Sequence, residues 1–186
     1  TYLTYGALLA RRLGADYTAI GWSGKGMYRN NDGSTTELMP ELFERTLAQR
    51  SDSQWGFEDD PDVIIINLGT NDFAPGVPGQ SELVGAYLAF INRIREVHPE
   101  AHIFCTNGSM LSDGWPAGEN RLTTIRGYLQ EVVDQRHAAG DTRVHHVTME
   151  TQRSEDGIGC DWHPGVRTNE IMADALEPSI RSALGW

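Results

Sequence analysis

The sequence predicts an α/β fold, namely a three-layer α/β/α sandwich around a parallel sheet with flavodoxin-like strand order. The first observation is that helix-like and strand-like patterns alternate along the chain. The second is residues 63–66 (Val-Ile-Ile-Ile), a continuous β-branched run that is typical of a strand buried on both faces of a parallel sheet. The third is the polar stretch at 67–72, because ligands bind at the carboxyl ends of strands in such sheets.

Length, charge and cysteine content limit the possible functions. The chain has 186 residues, enough for one domain with a buried core, and a formal net charge of −11. This charge argues against a nucleic-acid partner, because phosphate binding needs a basic surface. No apolar run approaches the length that spans a membrane, so we expect no membrane partner. Cys105 and Cys160 are too few for a disulfide scaffold; they could form one bridge in a secreted protein or remain free thiols.

The first half of the chain alternates between helix and strand patterns. The predicted elements are, in order, a helix at 2–13, a strand at 15–22, a helix at 37–48 and the central strand at 63–66. Gly14 is a natural helix stop, and Pro40 is tolerated because it lies in the first turn of its helix. The strand at 15–22 would deliver residues 23–26 (Ser-Gly-Lys-Gly) to the carboxyl edge of the sheet.

The second half continues the same alternation. Its predicted elements are a helix at 81–97, a strand at 102–105, a helix at 121–137, a strand at 143–149 and a final helix after residue 165. Pro178 should kink or restart that last helix. The whole pattern opens on a helix, whereas a doubly wound sheet normally opens with a strand that lies inside the sheet. We therefore expect an interior strand of this fold to precede residue 1.

Three polar segments at predicted strand ends carry groups suited to acyl chemistry. Gly24 follows the first strand, and Asn71 offers an amide donor just beyond the central strand, although Asn and Asp at 71–72 could equally start a turn. His163 lies within residues 159–165 (Gly-Cys-Asp-Trp-His-Pro-Gly), at the start of the closing helix. A neutral imidazole there can act as a general base near neutral pH, although a lone histidine is more often structural.

Taken together, Gly24, residues 69–72 (Gly-Thr-Asn-Asp) and residues 163–164 (His-Pro) resemble the SGNH (GDSL-like) hydrolase superfamily, in the family's order and over nearly the whole chain. Residues 21–26 (Gly-Trp-Ser-Gly-Lys-Gly) and 160–164 (Cys-Asp-Trp-His-Pro) are more narrowly similar to carbohydrate esterase family 2. Those enzymes remove acetyl groups from sugars and carry an N-terminal β-sandwich. The resemblance implies that residues 1–186 form an SGNH-type esterase catalytic domain that is N-terminally incomplete.

The resemblance also implies a function and a role for each candidate residue. The expected activity is that of a secreted carbohydrate O-acetylesterase on acetylated plant polysaccharides or oligosaccharides, with neither a metal nor a cofactor. Gly24 and Asn71 would supply oxyanion-hole N–H groups, each lowering the barrier by about 3 kcal/mol. His163 would take the serine proton and return it to the leaving sugar oxygen. Trp162 and Trp115 could stack on sugar rings, although core packing is the alternative for a tryptophan.

The nucleophile departs from the family's pattern. The block I motif Gly-Asp-Ser is absent, so we expect the serine on a first strand upstream of residue 1, in a segment that also carries the β-sandwich domain. Ser23 is an alternative, because residues 21–24 half-match the G-x-S-x-G nucleophile elbow. Lys25, however, stands where the last glycine of that motif belongs.

The partner of the histidine departs as well. The superfamily usually places an aspartate three residues before the histidine, but this chain has Cys160 there and Asp161 only two residues before His163. Either Asp161 reaches the imidazole, or a main-chain carbonyl near Cys160 holds it and the site is a Ser–His dyad. The shorter spacing favours the carbonyl.

Two other functions fit the same residues. One is a non-catalytic, sugar-binding SGNH-like domain that keeps the pocket without the chemistry. The other is a GDSL-type lipase or esterase that acts on other acyl esters. A Gly-Asp-Ser segment upstream of residue 1 would argue against the first, and a preference for acetyl over long acyl chains would argue against the second.

Overall fold

The computed structural model describes residues 2–186. Its strands are β1 (Val63–Asn67), β2 (His102–Thr106) and β3 (Val144–Val147). Its helices are α1 (Tyr5–Leu13), α2 (Met39–Phe43), α3 (Gln80–Val97), α4 (Arg121–Ala138) and α5 (Val166–Leu184). Within residues 2–186, no helix combines the length and the apolar character that crossing a bilayer requires.

The three strands form one parallel sheet in the order β1-β2-β3, as the alternating pattern predicts. Asn67 at the end of β1 lies opposite Thr106 of β2, which in turn lies opposite Val147 of β3. The three carboxyl ends therefore share one edge of the sheet. The polar segments that follow these strands all begin at this edge.

Two apolar layers cover the two faces of the sheet. Ile103 and Cys105 of β2 belong to the cluster that packs against α3 and α4, whereas Phe104 between them packs against α1 and α5. This alternation follows from the two-residue period of a strand. Helices on both faces of the sheet confirm the three-layer sandwich.

Several helix boundaries differ from the predictions. α1 ends where expected, because Gly14 adopts the left-handed conformation (φ 66°) that closes a helix. α2 ends at Phe43 instead of reaching residue 48, because Arg45 forms an antiparallel bridge with Gln54 and turns the chain back. α5 continues across Pro178 as one helix, so the predicted restart does not occur.

The predicted strand at 15–22 is the main error. These residues form no strand and are exposed at their apolar positions, with Tyr17 49% and Ile20 42% accessible. A strand forms where a neighbour satisfies its backbone N–H and C=O groups. Here an open groove of about 840 Å³ is lined by residues 14–20, by α1 and by β1.

The same groove alters the burial of β1. Val63, Ile64 and Ile65 are only half-buried, and Ile66 is the buried member of the run, whereas residues 103–106 of β2 are all buried. The prediction that the β-branched run is buried on both sides is therefore wrong for its first three residues. The reason is that β1 borders the groove.

An ion-pair network lies near the amino-terminal ends of the strands. The Asp141 carboxylate accepts hydrogen bonds from Arg95 at 2.8 and 3.1 Å and from Arg136 at 2.7 Å. Burial raises the pKa of Asp141, but the hydrogen bonds from the two guanidinium groups outweigh it and bring that pKa down to about 2. This network ties the end of α3 to the turn that leads into β3.

Candidate active site

Asn71 lies directly beside the glycine loop that follows residue 22. It begins a short 3₁₀ turn, Asn71–Phe73, just beyond β1. Its side-chain Nδ2 donates a hydrogen bond to the main-chain carbonyl of Lys25, 2.8 Å away. An amide group carries two N–H donors, so the second can reach a substrate oxygen. The structure thus brings Asn71 and the Gly24 loop together.

Gly24 occupies a conformation that suits glycine. Its φ is +80°, in the left-handed region, and its carbonyl accepts a hydrogen bond from the Asn31 N–H at 2.9 Å. A Cβ at this position would lie only 3.0 Å from the Asn31 side-chain oxygen. Another residue here would strain the main chain and press against the Asn31 side chain, so glycine suits the turn that brings the loop beside Asn71.

Asp72 holds the rest of that loop. Its side chain is fully buried, and its carboxylate accepts main-chain N–H bonds from Met27 at 2.9 Å, Tyr28 at 2.6 Å and Arg29 at 3.0 Å. Burial raises the pKa of Asp72, against the opposing effect of these three donors. The Arg29 guanidinium in turn donates to the main-chain carbonyls of Asp72 and Gly76, at 2.7 and 2.6 Å.

The His163 imidazole is exposed, and a main-chain carbonyl orients it. Its Nδ1 lies 3.1 Å from the carbonyl oxygen of Cys160. An Nδ1–H that donates to this carbonyl leaves Nε2 free to accept a proton. Asp161 is exposed in a left-handed conformation (φ 49°), and within residues 2–186 it forms no hydrogen bond with the imidazole. Of the two partners considered from the sequence, the structure has the carbonyl.

Two side chains tie the His163 loop to the carboxyl edge of the sheet. Asn169 accepts a hydrogen bond from the Tyr5 N–H at 3.0 Å and donates to the Pro164 carbonyl at 3.1 Å. The Gln152 side chain donates to the Trp162 carbonyl, and the Gln152 main-chain N–H donates to the Ser109 carbonyl at 2.8 Å. The segment that carries His163 is therefore linked to the start of α1 through Asn169 and to the loop after β2 through Gln152.

The two candidate sugar-stacking residues are outside the core. Trp115 is 78% exposed and Trp162 is 75% exposed. The alternative of core packing is therefore wrong for both. Trp162 directly precedes His163 and has a positive φ of 61°, whereas Trp115 lies in the loop between β2 and α4. Both indole rings are available to a ligand.

The remaining sequence candidates are not drawn into this arrangement. Ser23 is exposed, and in the described part of the chain no hydrogen bond links it to His163. Cys105 is buried in the core and Cys160 is exposed, so the bridge considered from the sequence does not form. Burial raises the pKa of the Cys105 thiol to about 12, which makes it a poor nucleophile. Among residues 2–186, no three His, Cys, Asp or Glu side chains cluster as metal ligands.

Three residues of the site were missed from the sequence. Arg29 and Asn169 hydrogen-bond main-chain groups of distant segments, at Asp72 and at Tyr5, and Gln152 bonds the main chain at Trp162 and Ser109. The only local signal was the position of Asn169 in the first turn of the helix after the His-Pro pair. Nothing in the sequence near Arg29 or Gln152 marks either residue.

Comparison with known proteins places these features in a family. The family model described as GDSL-like Lipase/Acylhydrolase matches residues 1–171. The protein named cellulase/esterase CelE of Acetivibrio thermocellus is 38% identical over 100% of this chain and 22% of its own length. An acetylxylan esterase / glucomannan deacetylase of Cellvibrio japonicus is 29% identical over 98% of this chain and 49% of its own length. The chain thus spans between about a fifth and about half of the length of these relatives.

A solved structure shows the same fold. The structure of a family two carbohydrate esterase from Clostridium thermocellum in complex with cellohexaose superposes with a TM-score of 0.90 at 38% identity, covering 100% of this chain and 55% of that protein. The parallel sheet, its helical layers and the polar loops at its carboxyl edge are therefore those of a known esterase architecture.

Proposed function

The chain belongs to the GDSL-like lipase/acylhydrolase family, and from that membership we propose that it is the catalytic domain of a carbohydrate O-acetylesterase that deacetylates plant polysaccharides by serine-type hydrolysis. The observation that carries the proposal is the 2.8 Å hydrogen bond from Asn71 Nδ2 to the Lys25 carbonyl. It brings a side-chain amide to a glycine loop, and such a pairing of main-chain and side-chain donors builds an oxyanion hole.

The proposed reaction has two steps on one acyl carbon. A serine hydroxyl attacks the acetyl carbonyl while His163 Nε2 takes its proton, and the new oxyanion accepts N–H bonds from Gly24 and Asn71. His163 then returns the proton to the leaving sugar oxygen as the ester bond breaks. In the second step, water attacks the acetyl carbon of the acetyl-serine while His163 takes its proton. The bond to the serine oxygen then breaks, His163 returns the proton to that oxygen, and acetate leaves.

The hydrogen bond between His163 and the Cys160 carbonyl suits the imidazole to act as a general base. The Cys160 carbonyl, 3.1 Å from Nδ1, favours the tautomer in which Nε2 accepts a proton. A neutral carbonyl stabilises the imidazolium ion less than a carboxylate does. Because this carbonyl, and not a carboxylate, bonds the imidazole, we assign a Ser–His dyad rather than a triad.

We assign the serine to a strand that precedes residue 1 and lies in the groove beside β1. A strand parallel to β1 would end at the carboxyl edge of the sheet, where α1 begins. The Tyr5 N–H donates to Asn169, which in turn donates to the carbonyl of Pro164, the residue after His163. One side chain therefore bridges the start of α1 and the segment that carries His163. The groove, about 840 Å³ in volume, is lined by apolar side chains of α1 and β1. We also assign to this upstream segment the N-terminal β-sandwich domain that the resemblance to family 2 carbohydrate esterases implies.

The substrate class rests on exposed aromatic faces and on the relatives. Trp162 and Trp115 are 75% and 78% exposed at the edge that carries the site, and planar rings of this kind stack on sugars. Relatives are named for acetylxylan and glucomannan, and a similar esterase was solved with cellohexaose bound. Because plant polysaccharides occur outside the cell that degrades them, we propose that the protein is extracellular.

The experiment that tests the function uses the protein expressed from its whole gene. Acetate release is measured from acetylated xylan and acetylated glucomannan, and hydrolysis of 4-nitrophenyl esters is measured with acetyl, octanoyl and palmitoyl groups. We expect release from the polysaccharides and at least tenfold faster hydrolysis of the acetyl ester. Glycan binding without acetate release would make the protein a binding domain, and a preference for palmitoyl would make it a lipase-like esterase.

A further inference from the structure

Asn71 and its neighbour Asp72 both grip the loop that carries Gly24. Asn71 binds the Lys25 carbonyl at 2.8 Å, and the Asp72 carboxylate accepts the N–H groups of residues 27–29 at 2.6 to 3.0 Å. Arg29 closes the arrangement from the other side, since its guanidinium donates to the Asp72 carbonyl at 2.7 Å. Two consecutive residues at the end of β1 therefore fix the main chain from 25 to 29.

Burying the Asp72 carboxylate costs free energy, because the group loses its hydration. The three main-chain N–H donors offset part of that cost. Gly26 has no room for a side chain, because a Cβ there would lie 2.7 Å from the Asp72 carboxylate and 2.0 Å from the Arg29 carbonyl. The loop is therefore packed directly onto the carboxylate.

We propose that Asp72 is a positioning residue, which sets the separation between the Gly24 N–H and the Asn71 side-chain amide so that both donors meet one developing oxyanion. The proposal rests on the function proposed above. Oxyanion stabilisation depends on donors that are already in place, because the gain is lost if the loop must reorganise during the reaction. Because Asp72 is fully buried and its carboxylate bonds the main chain of residues 27–29, it would act through the loop rather than on the substrate.

The test compares Asp72→Asn with Asp32→Asn in the protein expressed from its whole gene. Asp32 is the matched control, because its exposed carboxylate accepts the N–H and hydroxyl of Ser34 within the same loop region. An asparagine at 72 keeps the size of the side chain but turns one acceptor oxygen into a donor that faces N–H groups. We expect kcat for the acetyl ester to fall at least tenfold, with KM within about threefold, while Asp32→Asn stays near the wild-type value.

Hydrogen exchange gives a readout that does not depend on activity. The amides of Met27, Tyr28 and Arg29 should exchange at least tenfold faster in Asp72→Asn and at the wild-type rate in Asp32→Asn. If Asp72→Asn fails to fold, Arg29→Gln replaces it. This variant removes the guanidinium contacts and leaves the carboxylate, and we expect a threefold or larger fall in kcat at constant KM.

The outcomes separate this inference from the function on which it rests. A wild-type protein without esterase activity overturns the proposed function, and the catalytic role of Asp72 with it. An active wild-type protein whose Asp72→Asn variant keeps its kcat, even with faster amide exchange, leaves the function standing and reduces Asp72 to a structural residue. A rise in KM as large as the fall in kcat, or the same fall in kcat in Asp32→Asn, also overturns the positioning role.

Discussion

The side-chain amide of Asn71 donates a 2.8 Å hydrogen bond to the main-chain carbonyl of Lys25. These residues are 46 positions apart, and the bond joins the end of β1 to the loop that follows residue 22. Because Lys25 is the neighbour of Gly24, this one contact brings the two proposed oxyanion donors to the same place. The predicted chemistry depends on that relationship.

Removing the Asn71 amide should slow the reaction without blocking binding. We expect Asn71→Ala to lower kcat about 10²-fold, because one oxyanion donor contributes about 3 kcal/mol. KM for the acetyl ester should change little. The measurement is steady-state hydrolysis of 4-nitrophenyl acetate, with the exposed α3 residue Asn92 changed to alanine as the control. A loss confined to KM would show that Asn71 binds the substrate rather than its transition state.

Gly24 offers a second test through backbone conformation. Gly24→Ala forces a side chain into a φ of +80° and against the Asn31 side chain, so the loop must shift and kcat should fall at least tenfold. Gly14→Ala is the matched control. Its φ is +66° with no atom within 4 Å of an added Cβ, so it should cost about 1 kcal/mol of stability and leave kcat unchanged. Equal effects on kcat would remove the special role of the Gly24 loop.

Trp162 should matter for sugars and not for small esters. We expect Trp162→Ala to raise KM for acetylated oligosaccharides roughly fivefold, since an aromatic contact of this kind contributes about 1 kcal/mol. Hydrolysis of 4-nitrophenyl acetate in the same preparation serves as the control and should keep its KM. Trp115→Ala should act in the same direction on longer oligosaccharides. Equal losses on both substrates would point to a structural role.

Asp141 should make stability sensitive to acid. A fall in its pKa from the ordinary 3.8 to about 2 corresponds to roughly 2 kcal/mol of folding free energy. That contribution is present above the unfolded value near 4 and is lost as the pH falls toward 2. We therefore expect Asp141→Asn to lose about 2 kcal/mol at pH 7 and to show a smaller fall in stability than the wild type between pH 4 and 2.

The measurement is the free energy of unfolding in urea at pH 7, 4 and 2.5, made on the protein expressed from its whole gene. Asp52→Asn is the control, because Asp52 forms a solvent-exposed ion pair with Arg50, in which both side chains are more than 60% exposed. We expect Asp52→Asn to leave the free energy of unfolding close to the wild-type value at each pH, because an exposed ion pair contributes little to stability. An Asp141 variant that is as stable as the wild type at pH 7 would contradict the role given to the network.

What the sequence could predict follows from how local each interaction is. The helix at 81–97 and the strand beginning at 63 are marked by apolar spacing along their own residues, and both were predicted within one or two positions. The strand at 15–22 was predicted in error because strand formation needs a neighbour, which local composition does not reveal. Asn71 and His163 stand at the ends of predicted elements, so their shared edge could be inferred. The contacts of Arg29 and Asn169 could not be inferred, because each residue bonds the main chain of a distant segment, at Asp72 and at Tyr5.

The rate of deacetylation in His163→Ala tests the central claim most directly. In the protein expressed from its whole gene, we expect acetate release from acetylated glucomannan to fall roughly 10³-fold or more, because the reaction loses its general base and acid. Binding to the polysaccharide should stay within about threefold, and His137→Ala, an exposed histidine at the end of α4, should keep the wild-type rate. A His163→Ala protein that releases acetate at the wild-type rate would contradict the account.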